Sequence, residues 1–341
     1  MAETINIGEI ASLVTNDIFK WFKWERHGLM DENFDCHKNE PHKLAATRNC
    51  ITHPVDVVFS YFDPYLNKKI LLNTDLKSYK KDSISQVNIR KSIKSLANTI
   101  DCAQGSPIWK AKYAPPSESY EVRGMLFVYN HDDAYDKDFF NSFKEIRVEN
   151  LVVKKNSIVH ILEPKRIRYL YNVITDMKNL YAEDIFPKDD YSFYYPDLHL
   201  HKTNGIRSKH SASIELLTAP YMIISHGDFT KTENETTVIT EEKGYLIYYN
   251  RDGSTQEEFM YLFDTLSRFQ MLNDNIRIRV ANNNPHSNIM INYSNAITSY
   301  VTAWGSDSNK KDQLKNIKFD TLTAVVPNYK HGNIGWRFED E

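Results

Sequence analysis

Apolar positions near the start of the chain, Ile10, Leu13, Val14, Ile18 and Phe22, recur at three- and four-residue spacing and predict an opening helix. Glu9 stands at its first turn, where the helix dipole favours a carboxylate. From Leu29 to Thr52 the pattern is polar and irregular, and a loop or insertion is expected. Val55–Phe62 and Ile70–Lys77 are rich in β-branched and aromatic residues and flank the turn "DPYLNKK", so they read as a hairpin. Helical spacing returns at Ile84, Val87, Ile93, Leu96, Ala97 and Ile100. A buried strand is expected over Val122–Asn130, an amphipathic helix over Asp136–Ile146, a strand over Ser157–Leu162 and a helix opening at Pro164. The order helix, strand, strand, helix, strand, helix, strand, helix predicts an α/β fold, a mixed sheet flanked by helices.

A second block starts near Tyr191 and places the domain boundary at about residue 183, giving domains 1–183 and 184–341. Its expected strands are "PYMIISHG", "GYLIYYN" and "IRIRV", with a helix over Thr255–Leu272 and an exposed hairpin or loop at "NETTVITEEKG". This block is also read as α/β. The stretch "GMLFVYNHDDAYDKDFF" from Gly124 echoes "GYLIYYNRDGSTQEEFM" from Gly244 without gaps. Convergent strand-turn-helix units and a duplicated unit both account for the echo, because two copies do not establish a repeat.

Composition narrows the class. With 341 residues, 41% hydrophobic and 26% charged, the chain has material for a packed core. A net charge of −3 means that any nucleic-acid surface is a local patch. Three cysteines, Cys36, Cys50 and Cys102, cannot all pair within one chain, which favours a reducing compartment. No basic signal peptide and no run of about 20 apolar residues is present. A cytoplasmic protein without a membrane span is expected.

The chemistry concentrates in the hairpin "HPVDVVFSYFDPYLNKKILLNTDLKSY". Asp56 opens one strand and Asp75 closes the next, so antiparallel pairing about 5 Å apart brings them to one end of the sheet. Lys77, two residues on, points to the same face as Asp75. Buried carboxylates are costly unless paired or bound to a cation. Two carboxylates suit Mg²⁺ or a similar hard ion, and a lysine beside them suits phosphodiester hydrolysis. Lys68, Lys69, Lys80, Lys81, Arg90, Lys91 and Lys94 are expected to favour a phosphate backbone.

"HPVDVVF" followed by "LLNTDLKSY" resembles the PD-(D/E)xK nuclease superfamily, which includes restriction endonucleases and Holliday-junction resolvases. The resemblance covers about Ile7 to Tyr171. It implies a restriction-endonuclease-like fold and a metal-dependent endonuclease, with DNA the expected substrate and restriction or anti-phage defence the expected setting. It further implies that Asp56 and Asp75 bind Mg²⁺ or Mn²⁺, that Lys77 positions the attacking water, and that Glu9 assists the metal. A partner subunit or homo-oligomer is expected to control the activity. The alternative is a catalytically inactive, nuclease-like subunit that binds nucleic acid or acts as a scaffold. Val55 separates the proline from Asp56, and the stretch between Glu9 and Asp56 is longer than the pattern needs.

Other acid-x-lysine triplets occur by chance: Glu163-Pro-Lys165, Asp176-Met-Lys178 and Glu241-Glu242-Lys243. None has the company that surrounds Asp75 and Lys77. Cys36, His37, His42, Cys50 and His53 carry zinc-type donors, but their spacing matches no paired C-x-x-C pattern, so a loop with incidental cysteines is expected. His199 and His201 are read as an exposed strand face and His160 as a sheet histidine. No glycine-rich phosphate loop is present, which disfavours ATP hydrolysis.

Overall fold

The computed structural model describes residues 18–38, 42, 50–144, 157–195, 210–233, 236–273 and 276–325. Glu9, His199 and His201 lie outside them. The chain forms two compact units, the first running to Tyr171 and the second spanning Asn172–Val325.

The first unit contains β1 (Glu25–Asp35), β2 (Thr52–Asp63), β3 (Lys68–Tyr79), α1 (Gln86–Ala103), α2 (Pro107–Tyr113), β4 (Tyr120–Asn130), α3 (Phe139–Ser142) and β5 (Val159–Leu162). The helix α4 (Pro164–Ala182) crosses the division between the units. Its sheet has the order β1-β2-β3-β4-β5. The first two pairings are antiparallel and the last two parallel. This is the mixed, helix-flanked sheet expected from the hydrophobic pattern.

Both faces of the central strands are covered, which explains their near-continuous apolar sequences. On one face Val58, Leu71, Leu126 and Val128 pack with Ile89, Leu96 and Ile100 of α1. On the other, Phe19 stacks on Trp24 and meets Phe59 and Phe127, while Trp24 stacks on Tyr61. Ser85 caps α1, its Oγ accepting the Asn88 N–H at 3.3 Å. Ser106 caps α2, and Pro107 follows at a position with no N–H to lose. Val87, assigned to the apolar face by spacing, is exposed instead.

Gly124 lets α1 lie close to β4. A Cβ there would stand 2.5 Å from Ile100 Cδ1 and 3.0 Å from Leu96 Cγ. Gly124→Val is therefore expected to destabilise the first unit by about 1–3 kcal/mol through overpacking. Urea denaturation measures it, and an unchanged midpoint would contradict the close packing.

Two sequence expectations are corrected. Glu25–Asp35 is a strand where the pattern reads as the end of the opening helix through Gly28 and as loop from Leu29 onward. It is an edge strand, mostly half-exposed, and it is held by the ladder to β2 and by ion pairs of Lys69 with Glu25 and Lys112 with Glu32. Such a strand needs no apolar alternation. The helix expected over Asp136–Ile146 is a four-residue turn of helix within the described residues, capped by Asp138.

The second unit contains β6 (Tyr191–Phe193), α5 (Ile214–Thr218), β7 (Tyr221–His226), β8 (Phe229–Glu233), β9 (Thr236–Glu241), β10 (Gly244–Tyr249), α6 (Gln256–Arg268), β11 (Arg277–Asn282), α7 (Ile289–Ala303), α8 (Ser308–Lys315) and β12 (Lys318–Thr321). The order β6-β7-β10-β11-β12 again runs antiparallel, antiparallel, parallel, parallel. The hairpin β8–β9 stands apart as a two-stranded sheet. Phe259, Leu262, Phe263 and Leu266 of α6 pack with Tyr293, Ile297 and Tyr300 of α7 in the core. Among the described residues no helix is long and apolar enough to cross a membrane.

Candidate active site

The β2–β3 ladder ends with Val57 opposite Thr74. The next residues, Asp56 and Asp75, therefore face each other across the two strands and share a face of the sheet. Asp56 is buried, and its Oδ2 accepts the Leu76 N–H at 2.8 Å. Lys77 Nζ lies 2.5 Å from Asp75 Oδ1. Leu76 points to the opposite face and is buried there. The hairpin thus gathers two carboxylates and one ammonium, as the strand geometry predicts.

These three groups line an open cleft of about 560 Å³ together with Asp31 of β1, Pro54, Tyr79, and Asn88, Lys91, Ser92 and Ser95 of α1. Asp31, Asn88, Ser92 and Ser95 escape the sequence reading. The helix residues carry a usable signal, since 88, 92 and 95 recur at three- and four-residue intervals as a polar stripe on an otherwise core-facing side of α1. Asp31 has no such signal, because it sits on the edge strand.

Burial and like charge set the cluster apart electrostatically. Burial first, and then the neighbouring Asp75 carboxylate, push the Asp56 carboxyl up to about 7; Lys77 and the Leu76 N–H pull the other way without prevailing. Burial disfavours the charged form of Lys77, but Asp75 and Asp56 outweigh it and raise its pKa, so the ammonium persists.

The basic residues divide. Lys91 lines the cleft. Lys68 and Lys69 open β3, seven and six residues before Asp75 and therefore about 20–23 Å away along the strand. Lys69 is paired with Glu25 at 2.7 Å and Lys81 with Asp136 at 2.9 Å. Proximity in sequence placed them beside the acids, whereas an extended strand carries them to its far end.

The other acid-x-lysine triplets have structural work. Glu163 accepts the backbone N–H groups of Lys165 and Arg166, each at 2.8 Å, at the start of α4. Asp176 is bonded to Arg279. Glu241 and Glu242 pair with Arg277. Only Asp75-Leu76-Lys77 has a second acid opposite it, in a cleft.

The model of the family described as the GAPS4 protein PD-(D/E)XK nuclease domain matches residues 1–166. The chain carries a PD-(D/E)XK nuclease domain. The match covers the part of the chain that holds the hairpin and the mixed sheet, and a domain of this family implies a nuclease. PD-(D/E)XK nucleases generally use divalent metals. No curated protein and no solved structure matches the sequence.

Proposed function

We propose that this nuclease cleaves DNA with Mg²⁺ or Mn²⁺ held by Asp56 and Asp75, with Lys77 as the third member of the site. The observation that carries the reading is the facing pair of carboxylates with Lys77 beside them at the end of β3. The residues fit a hard cation. Both acids offer oxygen donors, one is buried, and their mutual repulsion is what a divalent charge relieves. A bound ion supplies a water of lowered pKa and charge for the phosphate oxygens.

The chain's own groups do the rest. The Leu76 N–H fixes one Asp56 oxygen and leaves the other for binding. Asp75 holds the Lys77 ammonium at the cleft. There Lys77 orients the attacking water and offsets charge developing on the phosphate. Lys91 and Asn88, on the wall formed by α1, contact the backbone of the substrate. Glu9 is proposed to assist the metal from the helix expected at the start of the chain, on the strength of the resemblance. Residues 1–183 are assigned to cleavage and 184–341 to contact with substrate or a partner subunit. A cytoplasmic restriction or anti-phage role rests on the likeness to restriction endonucleases.

Supercoiled plasmid incubated with the purified protein tests this reading. Nicking or linearisation with Mg²⁺ or Mn²⁺, and none with EDTA, is expected. Cleavage of RNA in preference to DNA would overturn the substrate assignment. Metal binding has its own pH signature. Between the ordinary carboxylate value near 4 and about 7, Asp56 binds more protons folded than unfolded. The metal-free protein therefore loses stability as pH rises through that window. A cation competes with that proton, so Ca²⁺ is expected to raise the melting temperature more at pH 8 than at pH 5.5. A Ca²⁺ shift independent of pH, or unchanged in Asp75→Ala, would count against binding at these acids.

A further inference from the structure

The cysteine–histidine cluster that the sequence reads as an incidental loop is drawn together by a residue far along the chain. Cys36 follows β1, His42 lies in the connection to β2, His53 is the second residue of β2, and Cys102 stands near the end of α1. All four side chains are buried, and one donor atom from each lies within 4.8 Å of every other.

The separations are those of a coordination tetrahedron. Zinc at about 2.3 Å from sulfur and 2.05 Å from nitrogen requires edges of about 3.8 Å for S–S, 3.3 Å for N–N and 3.5 Å for S–N. The Cys36 and Cys102 sulfurs are 3.7 Å apart. His42 Nδ1 lies 3.3 Å from His53 Nε2, 3.6 Å from Cys36 Sγ and 3.3 Å from Cys102 Sγ.

Hydrogen bonding alone does not explain this arrangement. His42 Nε2 faces Asp101 Oδ2 at 3.0 Å, so in the neutral ring Nε2 carries the proton and Nδ1 has one lone pair. Two sulfurs and a second imidazole crowd around that lone pair. A cation at their centre satisfies all four donors at once. Asp101 also binds Lys38 Nζ at 2.9 Å, so the ring is braced by a carboxylate that is itself held, the usual support of a zinc-ligating histidine.

We propose that Cys36, His42, His53 and Cys102 bind one zinc ion. Four protein donors leave no open position, so the site is structural rather than catalytic. It ties the end of β1 and the start of β2 to the last turn of α1, the helix whose first turns wall the cleft. Cys50 stands beside the site, its Sγ 3.9 Å from the His53 ring nitrogens and bonded to the Thr52 carbonyl at 3.3 Å, and is not assigned as a ligand.

Metal analysis of the full-length protein, purified without chelator, tests the proposal. One zinc per chain is expected, with retention in Cys50→Ser and Asp75→Ala. Cys102→Ser and His53→Ala are expected to weaken zinc binding about 10- to 100-fold or more. Should those variants fail to fold, cobalt exchanged into the wild-type protein gives a second readout. Tetrahedral visible bands with sulfur-to-cobalt charge transfer are expected. A zinc content near zero, an octahedral cobalt spectrum or a Cys36–Cys102 disulfide in protein purified anaerobically would overturn the site. Loss of zinc from Cys50→Ser would overturn the ligand set.

Discussion

Lys77→Ala is expected to slow metal-dependent cleavage by about 10²- to 10³-fold while leaving the domain folded. Lys77 sits at the mouth of the cleft, one-third exposed, and its ammonium is not part of the core. Its loss removes a charge positioned where negative charge develops, which affects the transition state more than the fold. Asp75→Asn and Asp56→Asn should be at least as damaging to cleavage, because each removes half of a carboxylate pair. Both should leave the melting temperature of the metal-free protein unchanged or raised, since Asp56→Asn removes the carboxyl that burial and then Asp75 drive up to about 7, and Asp75→Asn removes the second of those causes. A site that is worse for stability than its neutral variants indicates residues kept for chemistry. Single-turnover cleavage rates and thermal melts decide the matter together. Wild-type rates in Lys77→Ala would remove this residue from the mechanism, and a collapsed melting temperature would make the loss of activity a folding effect.

The hairpin was legible in the sequence because both of its signals are local. Strand alternation fixes which face Asp75 and Lys77 share, and a short turn fixes which strands pair. The part of the cleft lined by Asp31 was not legible, because Asp31 depends on an edge strand that buries little and so shows no apolar period. The zinc-type cluster failed for a different reason. Three of its members fall within eighteen residues, but Cys102 arrives from α1, and spacing rules see only donors that are close in sequence. Likewise Lys68 and Lys69 were drawn to the acids by adjacency in sequence, where about 20–23 Å of extended strand separates them.

The echo between Gly124 and Gly244 is resolved by topology. Both stretches are strands followed by an aspartate turn and a buried phenylalanine, Phe139 or Phe259. Yet β10 is the middle strand of its sheet, and the strand with that place and those neighbours in the first unit is β3. The echo therefore aligns strands that are not equivalent, which favours convergence as its cause. The repetition that does exist is in strand order and direction. Counted from the ends of the matching ladders, Pro220, Asn250 and Asp252 stand where Asp56, Asp75 and Lys77 stand. The second unit repeats the arrangement of the sheet without its acid pair or its lysine.

Asp176→Ala is expected to destabilise the second unit by about 3–5 kcal/mol, the cost of leaving a buried guanidinium without its main partner. Arg279 donates to both Asp176 oxygens, at 2.7 and 2.9 Å, and Tyr248 Oη donates to the same carboxylate at 2.8 Å. Both charged side chains are under 15% exposed, so solvent compensates little. Burial disfavours charge on Arg279, and the Asp176 bonds outweigh it. Asp320, on the guanidinium's Nε, remains but is already shared with Lys318. Replacing the pair together, Asp176→Leu with Arg279→Met, should recover most of the loss, because no unpaired charge is then buried. Urea denaturation of the single and double variants measures the difference; a single variant within about 0.5 kcal/mol of wild type, the range of ordinary surface substitutions, would refute it. The comparison with the hairpin is the informative part. Asp75 and Asp176 both begin an acid-x-lysine triplet and both are paired with a cation of the chain, Lys77 and Arg279. Asp75 differs in facing a second, buried carboxylate, that of Asp56, and it is this extra acid that the proposed metal would offset.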